Sequence, residues 1–264
     1  MDDCKSLNIL KAKIISIVNR YSKGDGYNLK NINYDSINKL LNKAFYNSKK
    51  NIVIGITGET ASGKTALSKT ISEVTNILNI PSTFLTSDNY FKDISNLLKN
   101  FKSFDDLVLN GYDIDSPNSS NLDLLKKDII NLSNGIDIYS PKYLLNGTGI
   151  SVPNSIYVKA NKIIIAEGIA IGYGDIHNFI DLLLYVEIDD NLRKQRFIKR
   201  SAERSQSAEM ASKYWDYVTE AGKKYVKPIK EKADIIICGD GNLNNINNII
   251  KILFNEIKNL KISL

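Results

Sequence analysis

The sequence is poor in the residues that build disulfide or metal frameworks. Its 264 residues include two cysteines, Cys4 and Cys238, which lie near opposite ends of the chain, and one histidine. This spacing matches no metal-binding pattern, and isolated thiols are typical of a reducing compartment. We therefore interpret both cysteines as reduced thiols, and the composition argues against a disulfide scaffold or a zinc-binding protein.

Long apolar runs are also missing. No stretch approaches the roughly 20 apolar residues that a membrane-spanning helix needs. The first residues, MDDCKSLNIL, are acidic before they become amphipathic, so they lack the basic head of a signal peptide. We therefore expect a cytoplasmic protein without a membrane partner. The apolar content of 43% predicts a globular chain with a substantial core.

An excess of positive charge is confined to the first part of the chain. Residues 1–50 hold ten lysines and arginines against four acids, and this difference accounts for the whole net charge of +6. Nucleic acid would have to bind this segment alone, and a solvated helical face explains the charge more simply. We predict helices at Ser6–Asn19 and Asp35–Asn47, joined by a polar loop at Ser22–Asn33. They form an N-terminal helical extension, packed as an extra layer on a domain spanning 51–264.

The most informative stretch is a glycine-rich loop. Gly58 to Thr65 spell G-x-x-x-x-G-K-T, between a branched apolar run at Ile52–Thr57 and an amphipathic pattern at Lys64–Leu78. Strand, loop and helix in this order predict a phosphate-binding loop, because glycine lets successive amide N–H groups converge on phosphate oxygens. Lys64 would reach the terminal phosphates of ATP or GTP, and the Thr65 hydroxyl would hold Mg²⁺. The expected nucleotide contacts in the loop are Gly58, Glu59, Thr60, Ala61, Ser62, Gly63, Lys64 and Thr65.

Strand and helix patterns alternate from residue 51 onward. Further strands are predicted at Ser82–Thr86, Lys162–Ala166, Leu182–Ile188 and Asp234–Cys238, and further helices at Leu122–Leu132, Asn191–Arg204, Ala208–Lys224 and Leu243–Ile257. The strands lack two-residue alternation, which is typical of parallel strands buried on both faces. The pattern predicts an α/β fold with a doubly wound parallel sheet flanked by helices, which binds ligands beyond the carboxyl ends of its strands.

Two acids follow predicted strands at that ligand-binding edge. Asp88 comes just after the second strand, and Glu167 directly follows the run IIIA. An acid in this position beside a phosphate loop can organise Mg²⁺ or accept a proton. We interpret the pair as part of the site, with a helix cap or turn as the alternative for either acid.

A basic stripe occupies one predicted helix. Arg193, Arg196, Arg200 and Arg204 are spaced so that they share one helical face. Arginines placed over a transferring phosphoryl group stabilise its charge. We interpret the stripe as a catalytic lid, and a solvated basic face is the alternative.

The ordered motifs resemble the uridine kinase and phosphoribulokinase family of P-loop kinases, over about residues 51–242. Besides the loop, they are D-x-[FY]-[FY] at Asp88–Phe91, D-x-P at Asp115–Pro117, P-x-Y at Pro141–Tyr143, E-G-I at Glu167–Ile169 and the closing stretch Val226–Ile237. The resemblance implies an ATP-dependent kinase that moves the γ-phosphoryl group of a Mg²⁺-bound nucleotide to a small-molecule hydroxyl, most simply the 5′-hydroxyl of uridine or cytidine.

The resemblance also implies roles for single residues. Asp88 corresponds to the base at the acceptor hydroxyl, and Asp115 to the acid that holds the ribose hydroxyls. Phe91 and Tyr143 correspond to further substrate contacts. Thr65 and Glu167 correspond to the Mg²⁺ shell. The lid cations that would contact ATP and the donor phosphate are Arg196, Lys199, Arg200 and Arg204.

The chain departs from the family pattern on the acceptor side. The His and Arg that usually follow P-x-Y are replaced by Leu144–Gly149, and the only histidine, His177, lies elsewhere. Asn118 replaces a later acid of the D-x-P segment, and the E-R-G-R of the lid reads Glu203–Gln206, one arginine short. Phosphoryl transfer is unaffected, but pantothenate, a sugar phosphate or a modified nucleoside stay open as acceptors. A nucleotide-gated regulatory protein that docks a partner through its extension is another alternative, and homo-oligomerisation is left open.

Overall fold

The computed structural model describes residues 12, 16, 29–30, 32–36, 39, 50–77, 79–203, 207–239 and 251. The predicted helix Leu243–Ile257, except for residue 251, and Arg204 lie outside these residues. Most of the predicted helices Ser6–Asn19 and Asp35–Asn47 also lies outside them. Within those two ranges, the described residues 12, 16, 35, 36 and 39 are helical.

A mostly parallel six-stranded sheet forms the centre of the molecule, with strand order β1-β8-β7-β2-β6-β3. Its strands are β1 (Leu29–Lys30), β2 (Ile52–Thr57), β3 (Ser82–Thr86), β6 (Ile163–Glu167), β7 (Leu182–Glu187) and β8 (Ile235–Cys238). Strands β2, β3, β6, β7 and β8 were predicted, and every pairing among these five is parallel. All residues of β2 are buried, as its unbroken apolar run predicts.

Helices flank the sheet, which confirms the predicted α/β architecture. They are α1 (Lys64–Ile77), α2 (Ser95–Leu98), α3 (Phe104–Leu109), α4 (Leu122–Ser133), α5 (Asp190–Glu203) and α6 (Ala208–Ala221). The core includes Leu125, Ile129 and Leu132 of α4, all fully buried and clustered with Val53 of β2 and Ile164 of β6. None of the helices in the described part of the chain is long and apolar enough to cross a membrane.

The chain after α6 stays helical but changes its winding. A π-helical turn at Gly222–Val226 leads into a 3₁₀ segment at Lys227–Lys232. Pro228 is the second residue of that segment, and a proline cannot donate the backbone hydrogen bond that would continue an α-helix. The predicted helix Ala208–Lys224 is thus α-helical as far as Ala221 and continues in the π-helical turn.

A hairpin was not predicted. The strands β4 (Ile138–Tyr143) and β5 (Ser151–Val158) pair antiparallel as a separate two-stranded sheet. Each contains a proline, Pro141 or Pro153, and a proline within an apolar run argues against a strand. The register shifts between Ser140 and Lys142, so the irregularity in the ladder accommodates Pro141.

The N-terminal segment contributes to the main sheet. Leu29–Lys30 pairs antiparallel with β8, so the prediction of a polar loop over Ser22–Asn33 is wrong at these residues. Asp234 anchors the contact, since its carboxylate accepts hydrogen bonds from the Ser36 hydroxyl and from the Leu183 amide. A two-residue edge strand is too short to leave a pattern in the sequence.

Candidate active site

The phosphate loop follows β2 directly and has a backbone that only glycine adopts easily. Gly58 has φ +144°, and a Cβ there would overlap the carbonyl oxygen of Val186 in β7. Gly63 has φ +109° at the start of α1. The loop therefore lies between β2, β7 and the N-terminus of α1, where the strand order of the parallel sheet reverses.

Lys64 is the buried cation of this loop. Its side chain is almost fully buried, and its Nζ donates a hydrogen bond to the Glu59 carbonyl oxygen at 3.0 Å. Burial lowers the pKa of Lys64, while the charges of Glu167, Asp88 and Asp115 raise it. The structure thus brings the loop lysine close to the three acids that the sequence singled out.

Glu167 is the last residue of β6 and lies beside the loop. It is 5% exposed, and its Oε1 accepts a hydrogen bond from Thr86 at 3.0 Å. Its Oε2 lies 3.4 Å from the Thr65 hydroxyl that donates to it. Burial and the neighbouring charge of Asp88 raise the pKa of Glu167. One carboxylate and one hydroxyl fit the oxygen ligands that Mg²⁺ prefers.

The residues around Thr65 and Glu167 would hold Mg²⁺ only together with phosphates. Within the described ranges no group of three His, Cys, Asp or Glu side chains could hold a metal ion. Mg²⁺ typically binds one or two carboxylates and takes its other ligands from nucleotide phosphates and water. Thr65 and Glu167 therefore offer a partial set of ligands, which phosphate oxygens and water could complete.

Asp88 lies in a short turn that is fixed at both ends. The turn Ser87–Tyr90 follows β3, and the Asp88 amide donates to the Thr86 hydroxyl at 3.3 Å. Tyr90 is fully buried, and its hydroxyl donates to Asp128 of α4 at 2.8 Å. These bonds hold the carboxylate of Asp88 at the carboxyl edge of the sheet, beside Glu167.

Gly168 controls how closely the ends of β3 and β6 approach. It has φ +131°, and a Cβ there would overlap Ser87 Oγ. We expect Gly168→Ala to push Ser87 and Asp88 outward, with strain of about 1–3 kcal/mol from the backbone and about 1–3 kcal/mol from overpacking. Chemical denaturation would show the loss of stability, and the turnover of the folded protein should fall because Asp88 is displaced.

A matched glycine separates backbone strain from this contact. Gly174 also has a positive φ, of +56°, but a Cβ there would meet nothing within 4 Å. Gly174→Ala should cost only about 1–2 kcal/mol and leave turnover unchanged. Equal effects of the two substitutions on turnover would refute the role given to the contact between Gly168 and Ser87.

Asp115 is a buried acid that contacts the phosphate loop. It is 8% exposed, and Thr60 of the loop donates to its Oδ2 at 3.4 Å. Tyr173 fixes its backbone by donating to the Asp115 carbonyl oxygen at 2.5 Å. Burial raises the pKa of Asp115 to about 6, against the opposing charge of Lys64.

Two of the predicted substrate contacts are aromatic residues that pack on each other. Phe91, which follows β3, and Tyr143 of β4 meet edge to face with ring centroids 5.3 Å apart. Burial raises the pKa of Tyr143 to about 12. The hairpin that the sequence did not predict is therefore the element that carries one of the predicted substrate contacts.

A cleft of about 320 Å³ opens between α3, α6 and the segment before Asp115. The sequence interpretation missed most of its lining, which includes Val108, Tyr112, Asp113, Tyr214, Tyr217 and Lys224. These residues belong to no motif. The only sequence signal for them was the presence of Tyr214 and Tyr217 in the predicted helix Ala208–Lys224, which corresponds to α6.

The arginines of the basic stripe on α5 have different surroundings. Arg196 reaches the phosphate loop, and its Nη1 donates to the carbonyl oxygens of Gly239 at 3.0 Å and Ser62 at 3.4 Å. Arg200 is exposed, and its charge contributes to lowering the pKa of Lys64; Lys199 is also exposed. Arg193, in contrast, is fully buried, so it departs from the expectation that the whole stripe faces the ligand.

Comparison with known proteins finds related sequences over most of the chain. Residues 53–242 match the phosphoribulokinase/uridine kinase family. The uridine kinase of Clostridium novyi (strain NT) is 32% identical over 212 residues, which cover 79% of this chain and 96% of that protein. The uridine-cytidine kinase A of Dictyostelium discoideum is 31% identical over 200 residues, or 73% of this chain and 38% of that protein.

A solved structure shares the fold at low identity. D-glycerate 3-kinase from Cryptococcus neoformans var. grubii aligns with a TM-score of 0.51 and 11% identity, over 89% of this chain and 96% of that one. At this level of identity the likeness shows the fold alone, so the acceptor has to be inferred from the residues that form the site.

Proposed function

Because the chain belongs to the phosphoribulokinase/uridine kinase family, we propose that it transfers the γ-phosphoryl group of MgATP to the 5′-hydroxyl of uridine or cytidine. The family makes it a phosphotransferase with a hydroxyl acceptor. Which hydroxyl compound is the acceptor has to be inferred from the chemistry of the site.

The charge around the acceptor space supports a neutral substrate. Asp113, Asp115 and Glu220 line the cleft, and Lys224 is the one cation among its described lining residues. Asp88 adds a further carboxylate, close enough to raise the pKa of Asp115. Like charges across a binding interface are unfavourable. Pantothenate, glycerate and sugar phosphates are anions, so this negative surface disfavours them relative to a nucleoside.

Shape and chemistry support a nucleoside among neutral acceptors. A carboxylate such as Asp115 can accept hydrogen bonds from two neighbouring hydroxyls, as on a ribose. Aromatic faces favour flat rings. Tyr112 lines the same cleft as Asp115, Tyr143 is close enough to Tyr112 for that neighbour to contribute to raising its pKa, and Phe91 packs on Tyr143. The ribose would therefore lie on Asp115 with its base toward the tyrosines and its 5′-hydroxyl toward the phosphate loop.

The reaction then follows from position and charge. Asp88 would accept the proton of the 5′-hydroxyl as that oxygen attacks the γ-phosphorus, while the bond from this phosphorus to the β,γ-bridging oxygen breaks and ADP leaves. Lys64, Arg196 and Arg200 would stabilise the negative charge on the transferring group, as preorganised cations do in phosphoryl transfer. Thr65 and Glu167 would hold Mg²⁺, which supplies charge neutralisation on the β- and γ-phosphate oxygens. The protein thus contributes mainly alignment and electrostatics.

An acceptor panel with an ADP-release assay tests this assignment. Uridine, cytidine and adenosine would be compared with pantothenate, glycerate and ribulose 5-phosphate. We expect the best pyrimidine nucleoside to exceed every anionic acceptor in kcat/KM by at least about 100-fold, the range that unpaired or repelled polar groups produce. A preference for an anion would refute the proposal. Nucleotide binding without phosphoryl transfer to any acceptor would favour the regulatory alternative.

The pKa of Asp115 gives a pH prediction. Its folded-state pKa of about 6 is above the ordinary value of 3.8, so the carboxyl is neutral below pH 6 and ionised above it. The neutral form has lost part of its capacity to accept ribose hydroxyls. We expect kcat/KM for the nucleoside to fall as pH drops through about 6, because this ratio reports groups of the free enzyme.

The control for the pH prediction is Asp115→Asn. This variant should have a low kcat/KM that shows no inflection near the pKa of Asp115. A wild-type profile that stays flat through that region, or an inflection that survives in Asp115→Asn, would assign the titration to another group.

A further inference from the structure

Arg193 is the largest fully buried side chain of the described residues, and it joins three parts of the fold. It lies in the first turn of α5, and its guanidinium stacks on Trp215 of α6 at 4.5 Å from the ring centroid. Its Nη2 lies 3.2 Å from Glu59 Oε1 and 3.1 Å from Asp190 Oδ1. A buried charge requires partners of this kind, because desolvation is otherwise very costly.

Glu59 belongs to the phosphate loop, but its side chain contacts the helices. The carboxylate lies 3.9 Å from Lys227 Nζ, and a Cβ at Gly222 would come within 2.5 Å of Glu59 Oε1. A glycine at position 222 therefore makes room for the carboxylate. The backbone of Glu59, in contrast, stabilises the loop, since the Glu59 carbonyl oxygen accepts hydrogen bonds from Lys64 Nζ at 3.0 Å and from the Ser62 amide at 3.1 Å.

The charges of this cluster are paired, but its hydrogen bonds are incomplete. Glu59 Oε1 and both terminal nitrogens of Arg193 are buried, and none has a hydrogen-bond partner of good geometry among the described residues. The Glu59 carboxylate and the Arg193 guanidinium are thus close enough for electrostatic attraction but are not aligned for a hydrogen bond. A buried network that is only partly satisfied gains from a small shift that aligns its members.

We propose that Glu59, Arg193 and Trp215 form a joint that couples phosphate binding in the loop to the position of α5 and α6. A phosphate that takes Lys64 as its partner competes with the bond from Lys64 to the Glu59 carbonyl. A shift of that peptide moves the Glu59 carboxylate against Arg193. Arg196, one turn further along α5, touches Ser62 of the loop, so the same shift aligns the lid cation with the phosphates.

Glu59 and Arg193 are therefore positioning residues that act through Lys64 and Arg196. This role depends on phosphate binding and phosphoryl transfer but not on which acceptor is used. It is also distinct from the cradle of backbone amides, because the contact with the helices is made by the Glu59 carboxylate, to which the backbone of Glu59 only transmits the shift.

Trp215 makes the proposal directly observable, since it is the single tryptophan of the chain. Its ring packs on the Arg193 guanidinium and on Phe197, with ring centroids 5.7 Å apart in the second contact. Titration of the wild-type protein with MgADP and with MgATP, without acceptor, should change the tryptophan fluorescence. The change should saturate with the same Kd that calorimetry gives. Calorimetric binding with no fluorescence change would overturn the proposal.

The variant Glu59→Gln tests the coupling. It should still bind nucleotide, lose at least half of the fluorescence change, and show kcat lowered by about tenfold, in the range of coupling between contacting residues. KM for the acceptor should not change. The matched control is Glu209→Gln, which removes the same charge from an exposed ion pair with Lys213 on α6 and should leave fluorescence, kcat and KM as in the wild type.

A second variant keeps the test decisive if Glu59→Gln folds poorly. Glu59→Gln leaves the buried Arg193 with the half-exposed Asp190 as its remaining close anionic partner, whereas the double variant with Arg193→Met removes both charges of the buried pair. The double variant should fold, bind nucleotide and lose no more kcat than the worse of the two single variants, because the two residues act as a unit. Lowered melting temperatures with unchanged kcat and an unchanged fluorescence response would show that the two residues have a structural role only. Losses in kcat that simply multiply would show that they act independently. Either result would overturn the proposal.

Discussion

Replacing Lys64 by alanine is expected to lower kcat by about 10²–10³-fold or more, because a preorganised cation at the transferring phosphoryl group is removed. Lys64 is almost fully buried at the centre of the loop, and its ammonium is surrounded by the charges of Glu167, Asp88 and Asp115. In its absence these acids would repel the nucleotide phosphates without a compensating cation. ADP release with saturating uridine measures the effect.

The control for this substitution lies on the same helix. Lys69 is exposed on α1, so Lys69→Ala removes a lysine that faces solvent and should leave kcat unchanged. The melting temperature of both variants shows whether the fold is intact. A folded Lys64→Ala protein with near-wild-type turnover would contradict the assignment of the phosphate site.

Replacing Asp88 by asparagine is expected to lower kcat by about 10²–10⁴-fold, the contribution of a positioned general base. Asparagine has nearly the same shape, so the turn that is anchored by Thr86 and Tyr90 should be preserved. The affinity for MgATP, measured by calorimetry, should change little, because in the proposed reaction the Asp88 side chain contacts the acceptor and not the nucleotide.

Asp123→Asn is the matched control for that variant. Asp123 is exposed in the first turn of α4, away from the loop, and its substitution should not change turnover. A wild-type rate for Asp88→Asn would reject the role of Asp88 as the base. Loss of nucleotide binding together with turnover would instead place Asp88 in the metal shell.

Much of the fold could be predicted from the sequence because its strongest signals are local. The run that forms β2 is apolar without alternation, and the glycines of the loop supply backbone angles that other residues avoid. Acids placed directly after strands share one edge of a parallel sheet, whatever the strand order, so Asp88 and Glu167 could be expected beside Lys64. The strand order itself depends on contacts between distant segments and was not predicted.

The parts that were missed depend on tertiary partners. The spacing of the arginines fixes a common face of α5, but it does not show that Trp215 of α6 packs on Arg193 and buries it. The hairpin contains Pro141 and Pro153, which argue against strands until a shifted register accommodates them. The tyrosines of the cleft come from segments that are distant in sequence and carry no motif, so only the folded chain brings them together.

A crystal structure of the protein with Mg²⁺, a non-hydrolysable ATP analogue and uridine would decide whether the proposed site binds donor and acceptor together. We expect phosphates in the loop with the terminal group on Lys64, a metal ion between Thr65 and Glu167, and the ribose on Asp115 with its 5′-oxygen within hydrogen-bonding distance of Asp88. An acceptor bound away from Asp115, or an Asp88 carboxylate turned away from the terminal phosphate, would contradict it.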